Sequence, residues 1–154
     1  MNFRSGLLGV VVSICLLMLV GASVSCEEWW YAEAEENDSP QSATAIPSEN
    51  KISGRISEYG DLDYFYDIVY GGKTYTYTIK DMTDNLQLML YEKVDVFWGV
   101  NTEVGAVDNE PGAGSESLVY TPTETQVEIC VLVEASSSPP DGEISSYWLV
   151  KSVE

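Results

Sequence analysis

From Lys51 onward, apolar and polar side chains alternate with a period of two. "KTYTYTIK" sets Tyr75, Tyr77 and Ile79 on one face and Thr74, Thr76 and Thr78 on the other, and "LQLMLYE" turns Leu86, Leu88 and Leu90 the same way. "QVEICVLVEA" places Val127, Ile129, Val131 and Val133 on one side. Neighbouring side chains of an extended strand point to opposite faces, so this period predicts half-buried strands, and their β-branched and aromatic content agrees. "DYFYDIVY" is apolar on both faces apart from Asp67, which predicts a central strand, with Gly71-Gly72 supplying a tight hairpin into Lys73. "KISGRIS", "SLVYTP" and "SYWLVKSVE" bring the set to seven or eight strands. No stretch after residue 26 carries a helical period. Many short strands with Gly, Pro, Asn and Asp turns and no helical crossovers predict an all-β fold, an antiparallel β-sandwich of jelly-roll-like form.

Three segments stand outside the alternation. Residues 1–25 hold Arg4, an apolar run from Leu7 to about Ala22, and then Ala22, Ser23 and Ser25, the arrangement of a secretory signal peptide. Residues 26–37 read as a tether and lead-in to a domain over 38–154. Trp29, Trp30 and Tyr31 within it suit either a lipid headgroup layer or docking on the domain's own surface. "EKVDVFWGVNTEVGAVDNEPGAGSES", Glu92 to Ser117, reads as a long acidic loop holding one short strand near Val96 to Val100; loops of such length are functional or disordered. Phe97 and Trp98 are its candidate ligand contacts, against the alternative that two aromatics in a β-rich segment belong to a core.

Removing the leader leaves 129 of the 154 residues, enough for one domain with a real core. The whole chain has 25 acidic and 7 basic residues, a formal charge of −18, and losing Arg4 makes the remainder one charge more negative. Such a field repels nucleic acid and anionic lipid, so no nucleic-acid partner is expected, and its self-repulsion is one that bound divalent cations would offset. The absence of any histidine excludes Ser-His-Asp and Cys-His nucleophile systems and histidine zinc sites. No catalytic residue is assigned, and the chain is not expected to be an enzyme. Of three cysteines, Cys15 lies in the leader. Cys26 directly follows the small-residue end of the leader, as the lipidated first residue of an envelope lipoprotein does; the other reading pairs it with Cys130 or leaves it free. Cys130 sits mid-strand, where a thiol is a small apolar group.

Acidic oxygens cluster twice. "EAEENDSP" offers Glu33, Glu35, Asn37 and Asp38, and "GDLDYF" puts Asp61 and Asp63 two apart where a strand begins, hence on the same side of the chain. Hard cations such as Ca²⁺ take six to eight oxygen ligands, so either cluster is part of a cation site or a solvated acidic turn. The second is not an EF-hand loop, since Phe65 stands at the third ligand position and the spaced glycine is absent.

Read in order, E-x-E-x-N-D-S, "SATAI", "ISGRI" and "GDLDYFYDIVYGGKTYTYTI" resemble the bacterial pre-peptidase C-terminal domain, a β-sandwich module of secreted peptidases related to the collagen-binding domains of clostridial collagenases. The resemblance spans residues 33 to 153 and is specific at Asn37-Asp38 and from Asp61 to Ile79. It implies that Glu33, Glu35, Asn37, Asp38, Asp61 and Asp63 together hold a calcium ion. The chain thus reads as a non-catalytic, calcium-stabilised binding module exported to the bacterial envelope. Its expected partners are an extracellular protein or polysaccharide and, through lipid at Cys26, the membrane. The alternative is an accessory domain that assists a separately encoded secreted peptidase.

Overall fold

In the computed structural model of the chain, the described residues are 31–48, 50–58, 60–92, 102–108, 114–136 and 145–154. The leader, Cys26, Trp29, Trp30, the expected strand at Val96 to Val100 and the candidate contacts Phe97 and Trp98 lie outside them. Nine strands are described: β1 Thr44–Ala45, β2 Lys51–Ile56, β3 Leu62–Tyr70, β4 Tyr75–Lys80, β5 Leu86–Glu92, β6 Thr102–Val107, β7 Glu116–Tyr120, β8 Gln126–Ala135 and β9 Ser145–Val153. They form a five-stranded sheet, β1-β3-β8-β5-β6, and a four-stranded sheet, β2-β9-β4-β7. Every strand pair is antiparallel except β1 with β3. The architecture is the antiparallel β-sandwich that the alternation predicts.

The inward faces are the predicted ones. Tyr75, Tyr77 and Ile79 of β4, Leu86, Leu88 and Leu90 of β5, and Val127, Ile129, Val131 and Val133 of β8 are all buried and join Phe65, Val69, Ile52, Ile56, Tyr147 and Leu149 in one core. Phe65 and Tyr147 meet edge to face with centroids 6.4 Å apart, an arrangement that puts the ring's positive rim on its neighbour's negative face.

Three expectations need correction. β3 is not central: it lies one strand in from the edge, and β8 holds the middle, with Cys130 and Leu132 of its outward face buried as well. Gly71 and Gly72 do not close a hairpin, because β3 and β4 belong to different sheets; the turn, with Gly72 at φ 80°, carries the chain across the sandwich. Part of the expected 92–117 loop is strand. β6 pairs with β5 along the sheet edge, and all but one of its positions are exposed or half-buried, so no apolar face marked it in the sequence.

The inward face of β3 carries two carboxylates, Asp63 and Asp67, on either side of Phe65. Both reach across to the four-stranded sheet. Asp67 accepts the Tyr77 hydroxyl at 2.6 Å and both its oxygens accept the Lys151 ammonium at 3.0 Å. Burial and the adjoining carboxylate push the Tyr77 phenol upward, so it stays a donor. A buried charge keeps its place only when paired and hydrogen-bonded, and here the pair also fixes the register between layers. Lys151→Ala should leave Asp67 uncompensated and cost about 3 kcal/mol in urea denaturation, whereas the double change Asp67→Asn with Lys151→Met should cost less than the single one.

Candidate metal centre

Residues 31–38 strap the open edge between the two sheets. Ala32 bridges in parallel to Ser53 of β2, with the Glu33 amide donating to the Ser53 carbonyl at 2.9 Å and the Ser53 amide to the Tyr31 carbonyl at 2.8 Å. Five residues on, the Tyr64 amide of β3 donates to the Asn37 carbonyl at 3.1 Å, and β1 then continues alongside Phe65 and Tyr66. The strap therefore begins on one sheet and ends on the other. Glu36 takes a left-handed turn at φ 79° where it changes direction, a conformation that costs a non-glycine residue energy and persists where neighbouring contacts hold it.

This path carries Glu33 and Asn37 inward beside Asp63. Asn37 is only 1% exposed and donates its side-chain amide to Glu33 Oε2 at 3.4 Å. The Tyr147 hydroxyl of β9 lies 2.6 Å from Asp63 Oδ2 and 3.4 Å from Glu33 Oε2, and its single proton serves one of them at a time. Glu33 Oε1 accepts the backbone amide of Arg55. Gly54, between them, makes room: a Cβ there would come within 2.1 Å of the Tyr147 ring. A strand glycine with a ring laid on its backbone is a close approach only glycine permits.

Two carboxylates in one dry pocket cannot both ionise cheaply. Burial, then the charges of Glu33 and Asp61, raise Asp63 to about 9, against the opposing pull of the Tyr147 hydrogen bond. Burial likewise raises Glu33. The Tyr147 phenol, fully enclosed beside these acids, is pushed well above its ordinary value and stays a donor.

The remaining oxygen is the informative one. Asn37 Oδ1 is buried and accepts no hydrogen bond. A buried amide oxygen without a partner carries a desolvation cost of about 1–3 kcal/mol. Asn85 Oδ1 is a second such atom, but its side chain is half-buried; its side-chain amide is taken by Asp108 at 3.2 Å and its backbone amide by Asp84 at 2.8 Å. Asn37 differs in being fully buried, and the Glu33 to which it donates shares the Tyr147 hydroxyl with Asp63. That all-oxygen donor set fits a hard divalent cation, which would supply the missing positive charge and a partner for the amide oxygen. Among the described residues no three acidic or thiol side chains converge, so a cation held here would need the Asn37 amide oxygen in addition to the two carboxylates.

Of the six residues the resemblance implied, the structure brings together Glu33, Asn37 and Asp63. Asp61 is close enough to act on Asp63 through its charge, but its Oδ2 accepts the Ser57 amide at 2.6 Å and hydroxyl at 2.8 Å, closing the turn between β2 and β3. Glu35 points outward to Arg55 in an exposed ion pair at 3.1 Å, and Asp38 is exposed. Tyr147 and Gly54 belong to the site and were not singled out in the sequence. The glycine interrupting the "KISGRI" strand was the available sign.

No family model and no curated protein matches the chain. Among solved structures it is similar to PliG of Aeromonas hydrophila, a periplasmic inhibitor of g-type lysozyme, at 17% identity and a TM-score of 0.50, over 73% of this chain and 97% of that one. The likeness is one of fold. The pre-peptidase C-terminal domain of a Bacillus anthracis collagenase is also similar, at 13% identity and a TM-score of 0.48, over 71% of this chain and 94% of that one.

An acid whose proton is held more tightly in the folded than in the unfolded chain favours folding at low pH and loses that advantage as pH rises. In chelated protein, stability should therefore fall between about pH 4, the ordinary aspartate range, and the raised Asp63 value of about 9. Asp63→Asn should flatten this slope, read as urea midpoints across the pH series.

Proposed function

We propose that the protein is a non-catalytic, exported binding module whose lead-in strap is fastened to a β-sandwich by calcium held by Glu33, Asn37 and Asp63. The observation that carries this reading is the Asn37 amide oxygen, buried without a partner beside two carboxylates that burial drives toward protonation. An ion there would tie residues from β3 to the strap, and through Tyr147 to β9, so that cation binding and the docking of the lead-in segment are one event. Asp61 adds negative potential from just outside.

Export rests on the leader over residues 1–25, and envelope attachment on lipid at Cys26. Cys130 takes no part in chemistry: it is free and 1% exposed, and burial pushes its thiol up to about 12. A protein ligand has support from two sides. The shared fold is used by PliG to inhibit a lysozyme. The outward face of the five-stranded sheet carries Tyr64, Tyr66 and Tyr91, and one end of that sheet holds a cavity of about 250 Å³ lined by Asp61, Gln87 and Glu134 among others. Tyrosines supply large contact area at low entropy cost, and the acids suit a cationic partner.

Calcium at about 100 times its dissociation constant should add about 2.7 kcal/mol to the chelated protein. Melting temperature should rise by roughly 10 °C, and Asp63→Asn or Asn37→Ala should remove most of the rise. Unchanged melting curves on calcium addition would count against the clamp. For the anchor, Cys26→Ser should move the protein from the membrane fraction to the soluble fraction, and its retention with membranes would point to a different attachment.

A further inference from the structure

The fold sorts charge by sheet. The five strands of the larger sheet contain six acidic residues and no lysine or arginine. The four strands of the smaller one contain Lys51, Arg55, Lys80 and Lys151 and a single acid, Glu116, which is turned inward and 1% exposed. Lys151 also points inward, to Asp67. The outward face of the smaller sheet therefore carries Lys51, Arg55 and Lys80 and no strand carboxylate, Arg55 being paired with Glu35 of the strap, on a chain whose formal charge is −18.

Its chemistry is specific in a second way. Trp148 of β9 lies directly across from Ser53 on one side and Lys80 on the other. The Lys51 ammonium stands 4.1 Å from the centre of its ring. From Lys80 the face continues through Thr78 of the same strand to Ser117 of β7, whose hydroxyls are bonded at 2.8 Å, and ends at the exposed Val119. Cations, one half-buried indole and rows of hydroxyls on a pleated surface are the groups that recognise a sugar chain bearing carboxylates: ammonium for the acid, indole for the apolar face of the ring, hydroxyls for hydroxyls.

From these features we infer that the outward face of the four-stranded sheet, centred on Trp148 between Lys51 and Lys80, binds an acidic polysaccharide. The inference rests on the reading of the chain as an exported binding module and names one of its surfaces. At physiological salt the screening length is about 8 Å, so a slender acidic chain lying along this face meets the local cations and little of the acidic remainder. An anionic bilayer is an extended plane and would face the repulsion of the whole molecule.

The test uses purified full-length protein with calcium held constant, titrated with hyaluronate, with uncharged dextran, and with phosphatidylglycerol vesicles. Binding to hyaluronate should be seen at low salt, weaken steadily with added NaCl, and exceed binding to dextran and vesicles. Lys80→Glu and Lys51→Glu should each weaken it at least tenfold with melting temperature unchanged, and Glu128→Lys, on the opposite sheet, should not weaken it. No hyaluronate binding at low salt, binding by both charge-reversal variants as tight as by the unaltered protein, or preference for the vesicles would each overturn the inference. Such a failure beside an intact calcium-induced melting shift would leave the clamp standing, whereas loss of that shift alone would strike the clamp and not this face.

Discussion

Asp63 places a carboxylate between two sheets, out of reach of water, and the surroundings of the strap are arranged around that cost. Tyr147 supplies one hydrogen bond, Gly54 gives up its side chain to make room for that tyrosine, and Glu33 and Asn37 are brought in by a segment that bonds to both layers. What these neighbours do not supply is positive charge. Lys151 meets that need four residues along the same strand, at Asp67. The two aspartates thus pose one electrostatic problem that the chain solves with a lysine at one station and, in our reading, with a divalent ion at the other.

This difference gives the two stations different roles. The Asp67 pair is permanent and sets how the layers face each other. In the proposed reading the Asp63 station would depend on what the solution provides, so that the strap would be held strongly where calcium is plentiful and weakly where it is scarce. A module that leaves the cell for a calcium-containing space would tighten there, by the linkage between ligand binding and stability. Its two sheets also have different outer surfaces, one with acids and tyrosines and one with lysines around Trp148.

The alternation in β4, β5 and β8 was legible because a sandwich interior accepts every second side chain and nothing else. β6 was not, since an edge strand with almost no buried side chain has no apolar rhythm to display. The placing of β3 misled for a related reason: Tyr64, Tyr66 and Ile68 on its outer side are half-buried, which in a sequence resembles the two-sided burial of a central strand. At the candidate site, Glu33, Asn37, Asp61 and Asp63 were legible as two oxygen clusters. Which of them turn inward was not, because that depends on a left-handed turn at Glu36 and on Asp61 being drawn back to Ser57. Tyr147 stands 84 residues from Asp63, a separation no local pattern spans.

The most direct test of the central claim is a crystal structure grown with calcium, with strontium exchanged for it to give an anomalous signal. The account predicts one ion peak per chain, with Asn37 Oδ1 and oxygens of Glu33 and Asp63 about 2.3–2.6 Å away. A well-ordered strap with no peak there, and a water molecule on Asn37 Oδ1 in its place, would contradict it.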